Sequence, residues 1–380
     1  MGGELSPTTF DEAAAALSAA AAEGQSVRIR GAGTKLGWGN PVVDPALTLS
    51  TARLDRILEH NAGDHTAIVE AGTPLGRLQD ELSGAGQVLS LDPPLGIDTQ
   101  DATIGGVIAT ADSGPLRHRY GAPRDLVLGV TVALSDGTIA RAGGKVIKNV
   151  AGYDLGKLFT GSFGTLGLIL SVCLRLHPRP TVTTTVIGAS ADPQTLSAAA
   201  RALAAAPLEL EGLDVAWRGG RGGVLARAAG VESARRAGRV GELMRDAGLD
   251  HVELVEDDEP LWARQRAGQR SRALVIVKVA ARPRQLGAVL SAVDGAGGTL
   301  VGRAALGTSY VEVDPDGVSA LCDALPQGAV TMLLDIPEQA RASLQPWGAG
   351  EGPALELMRR VKGRFDPVGA CNPGVFVGGI

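Results

Sequence analysis

Three glycine-rich stretches hold the residues best suited to chemistry. The first is Gly31-Ala32-Gly33-Thr34-Lys35-Leu36, directly behind Arg30. The second runs from Asp101 to Gly121 (DATIGGVIATADSGPLRHRYG), with the pair Gly105-Gly106 ahead of Val107-Ile108-Ala109-Thr110. The third covers Lys145–Leu155 and continues to Gly161, Gly164 and Gly167. Glycine reaches positive φ and lets a ligand come close to the backbone, so successive N–H groups can cradle an anion. Thr34 and Lys35 add a hydroxyl and a charge, and the small Ala109 and Thr110 leave room for a large group. Together these loops read as the walls of a nucleotide-cofactor site. For any one Gly-Gly pair, a tight turn into a buried helix is the competing reading.

Two common phosphate motifs are excluded. After Gly31-Ala32-Gly33, the third glycine of a Rossmann fingerprint is displaced, and Trp38-Gly39-Asn40-Pro41 stands where a helix should follow. No G-K-[ST] ending makes a P-loop. Cys173, Cys322 and Cys371 form no C-x-x-C pair, and His60, His65, His118, His177 and His251 are scattered. No metal is expected. Cys173 lies in an apolar run and reads as a buried, inert thiol. With 36 basic against 41 acidic residues and no basic block, nucleic acid is not an expected partner. The alanine-rich start carries acidic residues and no basic n-region, so a secretory signal is not expected. No apolar run is long enough for a transmembrane segment. A cytoplasmic location follows, with any attachment to the inner membrane made through partners.

A chain of 380 residues exceeds one ordinary core, which predicts two domains. An alanine-rich helix over Asp11–Glu23 starts near Thr9 or Asp11, and the strand Val27–Arg30 leads into the first loop. Strands at Ala46–Leu49 and Thr66–Glu70 follow, with a helical turn or strand link at Leu54–Leu58. Thr73-Pro74 reads as an N-cap with proline in the first turn of a helix bearing Leu75, Leu78 and Leu82. A strand over Val88–Leu91 leads to Pro94. Leu126–Leu134 and Thr138–Ala140 form a hairpin across Ser135-Asp136-Gly137. Leu168–Leu176 is a largely apolar strand. Glycines at every third residue from 161 to 167 suit neither helix nor strand, and a closely wrapped loop explains them. Beyond Thr181, Arg218–Gly223 reads as a hairpin turn, Ala273–Ala280 as a buried strand and Pro283–Val293 as a helix. Strands at Tyr310–Val313 and Thr331–Leu334 and a helix at Leu355–Val361 complete the chain. The fold class is α+β.

Five motifs in order carry a family resemblance: RGAGT (30–34), ATIGG-x-IAT (102–110), YG-x-x-RD (120–125), KNVAGYDL-x-KL (148–158) and GS-x-GTLG (161–167). Over the first half of the chain they resemble the PCMH-type FAD-binding domain of the vanillyl-alcohol oxidase family. With Arg364-Phe365-Asp366-Pro367 and Asn372-Pro373-Gly374, the chain is most similar to the E subunits of bacterial glycolate oxidases. The resemblance implies a two-lobed FAD-binding domain (1–180), a smaller α+β cap domain with a mixed or antiparallel sheet (181–350), and a C-terminal segment (351–380) returning to the first domain. The pyrophosphate is expected between Gly31–Leu36, with Arg30 beside it, and the loop Thr103-Ile104-Gly105-Gly106. Pro94, Ala109, Thr110 and Gly114 would line the flavin and ribityl chain. Gly164 and Ile169 would lie near adenine and ribose, and Asn372 would complete the site. No His or Cys lies in Gly31–Asn40, so FAD is expected to be non-covalent.

Oxidation of a 2-hydroxy acid needs a base, a cation for the carboxylate and the flavin. Catalytic relatives supply these from the cap with histidines and a His-Gly-Asp-Gly-Asn-type segment. That segment is missing here, and no histidine follows His251. Arg264, Arg266, Arg272, Lys278 and Arg303 are the nearest cations, each read as a surface or strand-edge charge. His118 reads as a solvated loop histidine, with an approach to the flavin as the alternative. The catalytic residues are therefore unassigned. The leading expectation is an FAD-binding subunit of a multi-subunit glycolate (2-hydroxy acid) oxidase, whose partners are a homologous FAD-binding catalytic subunit and an iron–sulfur subunit. A self-sufficient FAD oxidoreductase and a non-catalytic scaffold remain open.

Overall fold

The computed structural model describes residues 3–41, 45–95, 101–145, 153–348 and 352–380. The KNVAGYDL stretch lies largely outside them, so the third loop is followed only from Tyr153 onward. The chain divides into two compact units. One comprises Met1–Ser113, Gly121–Arg179 and Ala349–Ile380; the other comprises Gly114–Tyr120 and Pro180–Gly348.

The first unit has two lobes. In one, Leu47–Ser50 pairs in parallel with both Gly3–Leu5 and Val27–Arg30. The helix Phe10–Ala22 covers this sheet; Thr9 caps it by accepting from Glu12 N–H at 3.2 Å, and Glu12 Oε2 accepts from Thr8 N–H at 2.8 Å. The other lobe is a five-stranded antiparallel sheet in the order Ile57–Asn61, Thr66–Glu70, Leu168–Arg175, Val127–Ala133, Ile139–Gly143. Its Leu168 and Leu170 pack with Leu17, Val27 and Leu49, while Ile169, Val172 and Leu174 pack with Leu75, Leu78, Ile104 and Val107. Burial on both faces explains why this central strand reads as an unbroken apolar run. The expected hairpin across Ser135-Asp136-Gly137 forms, with Gly137 at φ 85°. Cys173 is buried, and burial pushes its thiol pKa up.

Two local expectations need correction. The helix begins at Leu75 with Pro74 in the cap position, and Thr73 supplies no side-chain cap. Asp101 substitutes for it: its Oδ2 accepts from Gly76 N–H at 2.5 Å. Pairing at 87–91 is limited to Gln87–Val88, which meets His177–Pro178. Leu89 and Leu91 are buried in the core outside any ladder.

The second unit is an eight-stranded antiparallel sheet in the order Asp250–Val255, Thr183–Ser190, Arg221–Ala229, Gly212–Arg218, Thr299–Arg303, Thr308–Val313, Val275–Ala280, Val330–Leu333. Each set of four strands, with its two helices, is a βαββαβ unit in which the second strand lies innermost and the fourth at the outer edge. The two second strands join the halves, with Asp214 opposite Arg303. The Arg218–Gly223 hairpin is confirmed: Gly219 and Gly220 form the two-residue loop at φ 56° and 76°, as a type I′ turn requires.

Candidate functional site

The first unit carries a cleft of about 920 Å³ counting the part open to solvent. It gathers Arg30, Gly31, Ala32, Gly33, Thr34, Lys35, Leu36, Thr103, Gly105, Gly106, Ala109, Thr110, Gly164, Ile169 and Asn372 from four separate segments. Pro94, Ile104 and Gly114 do not line it. Pro94 and Ile104 are buried, Ile104 in the core, and Gly114 belongs to the second unit.

The first wall is the turn that follows Val27–Arg30. An added Cβ on Gly31 would stand 2.1 Å from Thr103 Oγ1, so only glycine lets the turn lie this close to the next wall. Gly33 is left-handed at φ 82°. Among the described residues, the backbone N–H groups of Gly31, Ala32, Gly33 and Lys35 make no hydrogen bond. Such a run of unclaimed donors in a glycine turn is an anion-binding concavity. Thr51, whose N–H donates to Arg30 O at 2.8 Å, ties the start of the turn to the neighbouring strand.

The second wall is the helix Ile104–Thr110, and here the sequence reading is corrected. Its leading N–H groups are already taken. Ile104 donates to Thr73 O at 2.9 Å, Gly105 to Ala71 O at 2.7 Å and Val107 to Thr103 O at 2.9 Å. Gly106 N–H donates to Thr103 Oγ1 at 3.4 Å. The Thr110 hydroxyl donates to Gly106 O at 2.8 Å. This stretch therefore offers a flat, Cβ-poor surface and not a row of donors. Gly105 allows the helix to sit against Ala71, whose Cβ would be 2.7 Å from a Cβ at that position.

The third wall is Phe163-Gly164, both left-handed at φ 54° and 70°. Gly161 N–H donates to Ile108 O at 3.0 Å and Phe163 N–H to Ala109 O at 2.8 Å, which occupies the carbonyls at the end of that helix. Gly161, Gly164 and Gly167 all have positive φ, as a closely wrapped loop requires. Ile169 adjoins a bulge: Thr131 pairs with Ser171 and Val132 with Ile169, leaving Leu170 as the extra residue.

Asn372 closes the cleft as a two-sided clasp. Its Oδ1 accepts from Ile29 N–H at 2.8 Å, and its Nδ2 donates to Phe163 O at 2.7 Å. Its own N–H donates to Val27 O at 2.9 Å. Behind it, Lys362 Nζ donates to Asp366 Oδ2 at 2.5 Å, Thr165 O at 2.7 Å and Cys371 O at 3.0 Å. Burial works to raise the Asp366 pKa, but Lys362 and the Cys371 N–H outweigh it and hold the carboxyl below its ordinary range. A depressed folded-state pKa stabilises above the unfolded value and is lost as pH falls through the folded one. Below about pH 4, the amides of Cys371 and Asn372 are therefore expected to lose hydrogen-exchange protection before the strand Leu168–Arg175 does. Simultaneous loss at both places would contradict a separate acid-labile clasp.

Arg28, Ile29, Trp38, Phe163, Gly167, Leu168 and Val375 also line the cleft and flank or fall within motifs already recognised. Thr51 and Ala71 had no sequence signal, since they reach the cleft from the ends of strands. Lys35 is not the open phosphate cation its type suggests. Its side chain is 5% exposed, with Nζ 3.3 Å from Asp112 Oδ2.

The candidate cap cations are likewise reassigned. Arg303 is 1% exposed and ion-paired to Asp214, so it is neither a surface charge nor a free clamp. Arg266 pairs with Glu259, and Lys278 Nζ lies 5.9 Å from the Tyr310 ring centroid. Arg264 and Arg272 are exposed. His118 is partly buried in the helical turn Arg117–Tyr120 of the second unit, and burial foremost lowers its pKa. In the first unit, His60 and His65 both contact the Gln87 amide, and His177 contacts Ser90. Among the described residues, no three His, Cys, Asp or Glu side chains converge as a metal site. No helix among them is long and apolar enough to cross a membrane.

Unclaimed N–H donors beside walls without Cβ atoms suit a phosphate-bearing cofactor, and the sequence of the domain says which. Residues 3–143 match the family described as FAD binding domain. The chain therefore carries a PCMH-type FAD-binding domain, as its glycine motifs indicated, and FAD is the cofactor of that domain. Among curated proteins, glycolate oxidase subunit GlcE of Escherichia coli is 37% identical over 152 residues, covering 40% of this chain and 42% of that one. The D-lactate dehydrogenase of Archaeoglobus fulgidus is 38% identical over 175 residues, 46% of this chain and 38% of its own. Glycolate oxidase subunit GlcD of Bacillus subtilis is 35% identical over 184 residues, 48% of this chain and 38% of its own. The chain thus spans less than half the length of the curated relatives it matches. Among solved structures, alkyldihydroxyacetonephosphate synthase has the same fold, with a TM-score of 0.70 at 14% identity over 97% of this chain and 76% of that one.

Proposed function

We propose that this protein is an FAD-dependent oxidoreductase subunit that takes part in oxidising a small 2-hydroxy acid, glycolate foremost, and passes the electrons to partner subunits. The observation that carries the cofactor half is the run of unclaimed N–H groups at Gly31, Ala32, Gly33 and Lys35 facing the Cβ-poor wall of Gly105 and Gly106. These would hold the diphosphate, while Ala109, Thr110, Phe163, Ile169 and Asn372 enclose the rest. FAD would be held without a covalent bond, because Gly31–Asn40 contains no His or Cys. When bound, FAD accepts two electrons from a hydroxylated carbon and releases them to a second carrier.

The subunit half rests on what the second unit lacks. A 2-hydroxy acid needs a cation for its carboxylate and a base for its hydroxyl proton. Arg303 is sealed by Asp214 and Arg266 pairs with Glu259, and the histidine segment that serves catalytic relatives is missing from this sequence, with no histidine after His251. Substrate oxidation therefore falls to a homologous FAD-binding catalytic subunit, and an iron–sulfur subunit carries the electrons away. Any membrane attachment would be peripheral and made by those partners, from the cytoplasmic side.

An anaerobic titration of the purified chain with glycolate and D-lactate tests this. Bound flavin should remain oxidised with either acid alone and bleach when the partner subunits are added. Prompt bleaching by the isolated chain would mean that it carries a complete active site and would sink the subunit reading.

A further inference from the structure

Lys35 projects from the donor loop but turns inward. Its Nζ is 3.3 Å from Asp112 Oδ2, whose side chain is 2% exposed. The distance is that of an ion pair, yet neither atom makes an aligned hydrogen bond. Nζ also lies 5.7 Å from the Trp38 ring centroid, within cation–π range. Asp112 follows the helix Ile104–Thr110 through the left-handed Ala111, and its Oδ1 accepts from Ser113 N–H at 3.0 Å.

Charge bookkeeping separates two roles for this lysine. A lone buried ammonium would attract a diphosphate strongly. Paired with Asp112, it contributes almost no net charge, and most of that attraction cancels. What the pair does is mechanical. Gly31 seats the loop on Thr103 at the start of the helix, and Lys35 ties it to Asp112 just beyond the end. A loop held at both ends has already lost the conformational freedom that ligand binding would otherwise have to remove.

We propose that Lys35 and Asp112 act as one positioning unit that keeps loop 31–36 ready to donate its N–H groups to the cofactor's diphosphate, and that Lys35 is not itself a phosphate ligand. This rests on the FAD reading above.

The test uses the full-length chain stripped of flavin, with two readouts: FAD affinity from flavin fluorescence, and amide hydrogen exchange at residues 31–36 without cofactor. K35M and D112N each leave one buried charge without its partner. Both should speed exchange in the loop, and K35M, which leaves a carboxylate beside the diphosphate, should also weaken FAD binding about tenfold or more. K35M/D112L removes both charges and should return both readouts to within about threefold of the parent. If a single variant fails to fold, restoration by the double variant supports the proposal in the same way. K35M/D112L binding FAD as weakly as K35M would make Lys35 a phosphate ligand and overturn the proposal. Unchanged exchange in both single variants would overturn it as well. A parent chain that binds no FAD would remove the cofactor reading, while the exchange pattern would still decide whether the pair holds the loop.

Discussion

Replacing Asn372 with alanine is expected to abolish FAD binding and to destabilise the first unit by about 3–5 kcal/mol. The carboxamide accepts from Ile29 N–H and donates to Phe163 O, and its residue is only 8% exposed. Alanine takes the acceptor from the Ile29 N–H, at about 1–3 kcal/mol when buried, and one donor from the Phe163 carbonyl, at about 1 kcal/mol for the lost hydrogen bond. The residue is also left-handed at φ 38°; asparagine tolerates this region, and alanine adds roughly 1 kcal/mol of strain. For a unit of this size, thermal unfolding should fall by about 6–20 °C. Asn372→Asp separates the clasp from simple loss of packing. It keeps the shape and the acceptor for Ile29, but sets a carboxylate oxygen against the Phe163 carbonyl. Its stability should therefore recover as pH is lowered and the carboxyl becomes a donor. An alanine variant that melts with the parent, or an aspartate variant indifferent to pH, would remove the clasp from the account.

Gly31→Ala is expected to weaken FAD binding by at least tenfold while leaving the second unit intact. An added Cβ would lie 2.1 Å from Thr103 Oγ1, so the loop or the threonine must move. Thr103 is poorly placed to yield, because that oxygen caps the helix Ile104–Thr110 through Gly106 N–H. Losing the cap costs about 1 kcal/mol, and lifting the loop displaces the unclaimed donors of Gly31, Ala32 and Gly33. The double variant G31A/T103A removes the clashing hydroxyl and should regain part of the affinity. An unchanged FAD dissociation constant for Gly31→Ala, measured by fluorescence titration, would show that the first loop does not hold the cofactor.

The sequence by itself determined whatever depends on local backbone preference and periodicity. The apolar spacing of Leu75, Leu78 and Leu82 specified a helix face, and all three are buried. Gly219-Gly220 specified a two-residue hairpin because its turn needs two positive φ angles. The glycine motifs marked the cofactor domain and most of the cleft lining, since close approach without a Cβ is written into the residue type. Only the tertiary structure decided where the polar groups spend their hydrogen bonds. The helix of Leu75–Ser83 is capped by Asp101 from across the fold, not by Thr73. The N–H groups of Ile104 and Gly105 are consumed by Thr73 and Ala71, which leaves the first loop as the donor wall. Lys35 is claimed by Asp112, and Arg303 by Asp214 across the join between two sheet halves. The physical reason is the same in each case. A φ preference or an apolar stripe is a property of neighbours in the chain, whereas a buried polar group must be paired by whatever long-range strand register and packing bring within reach.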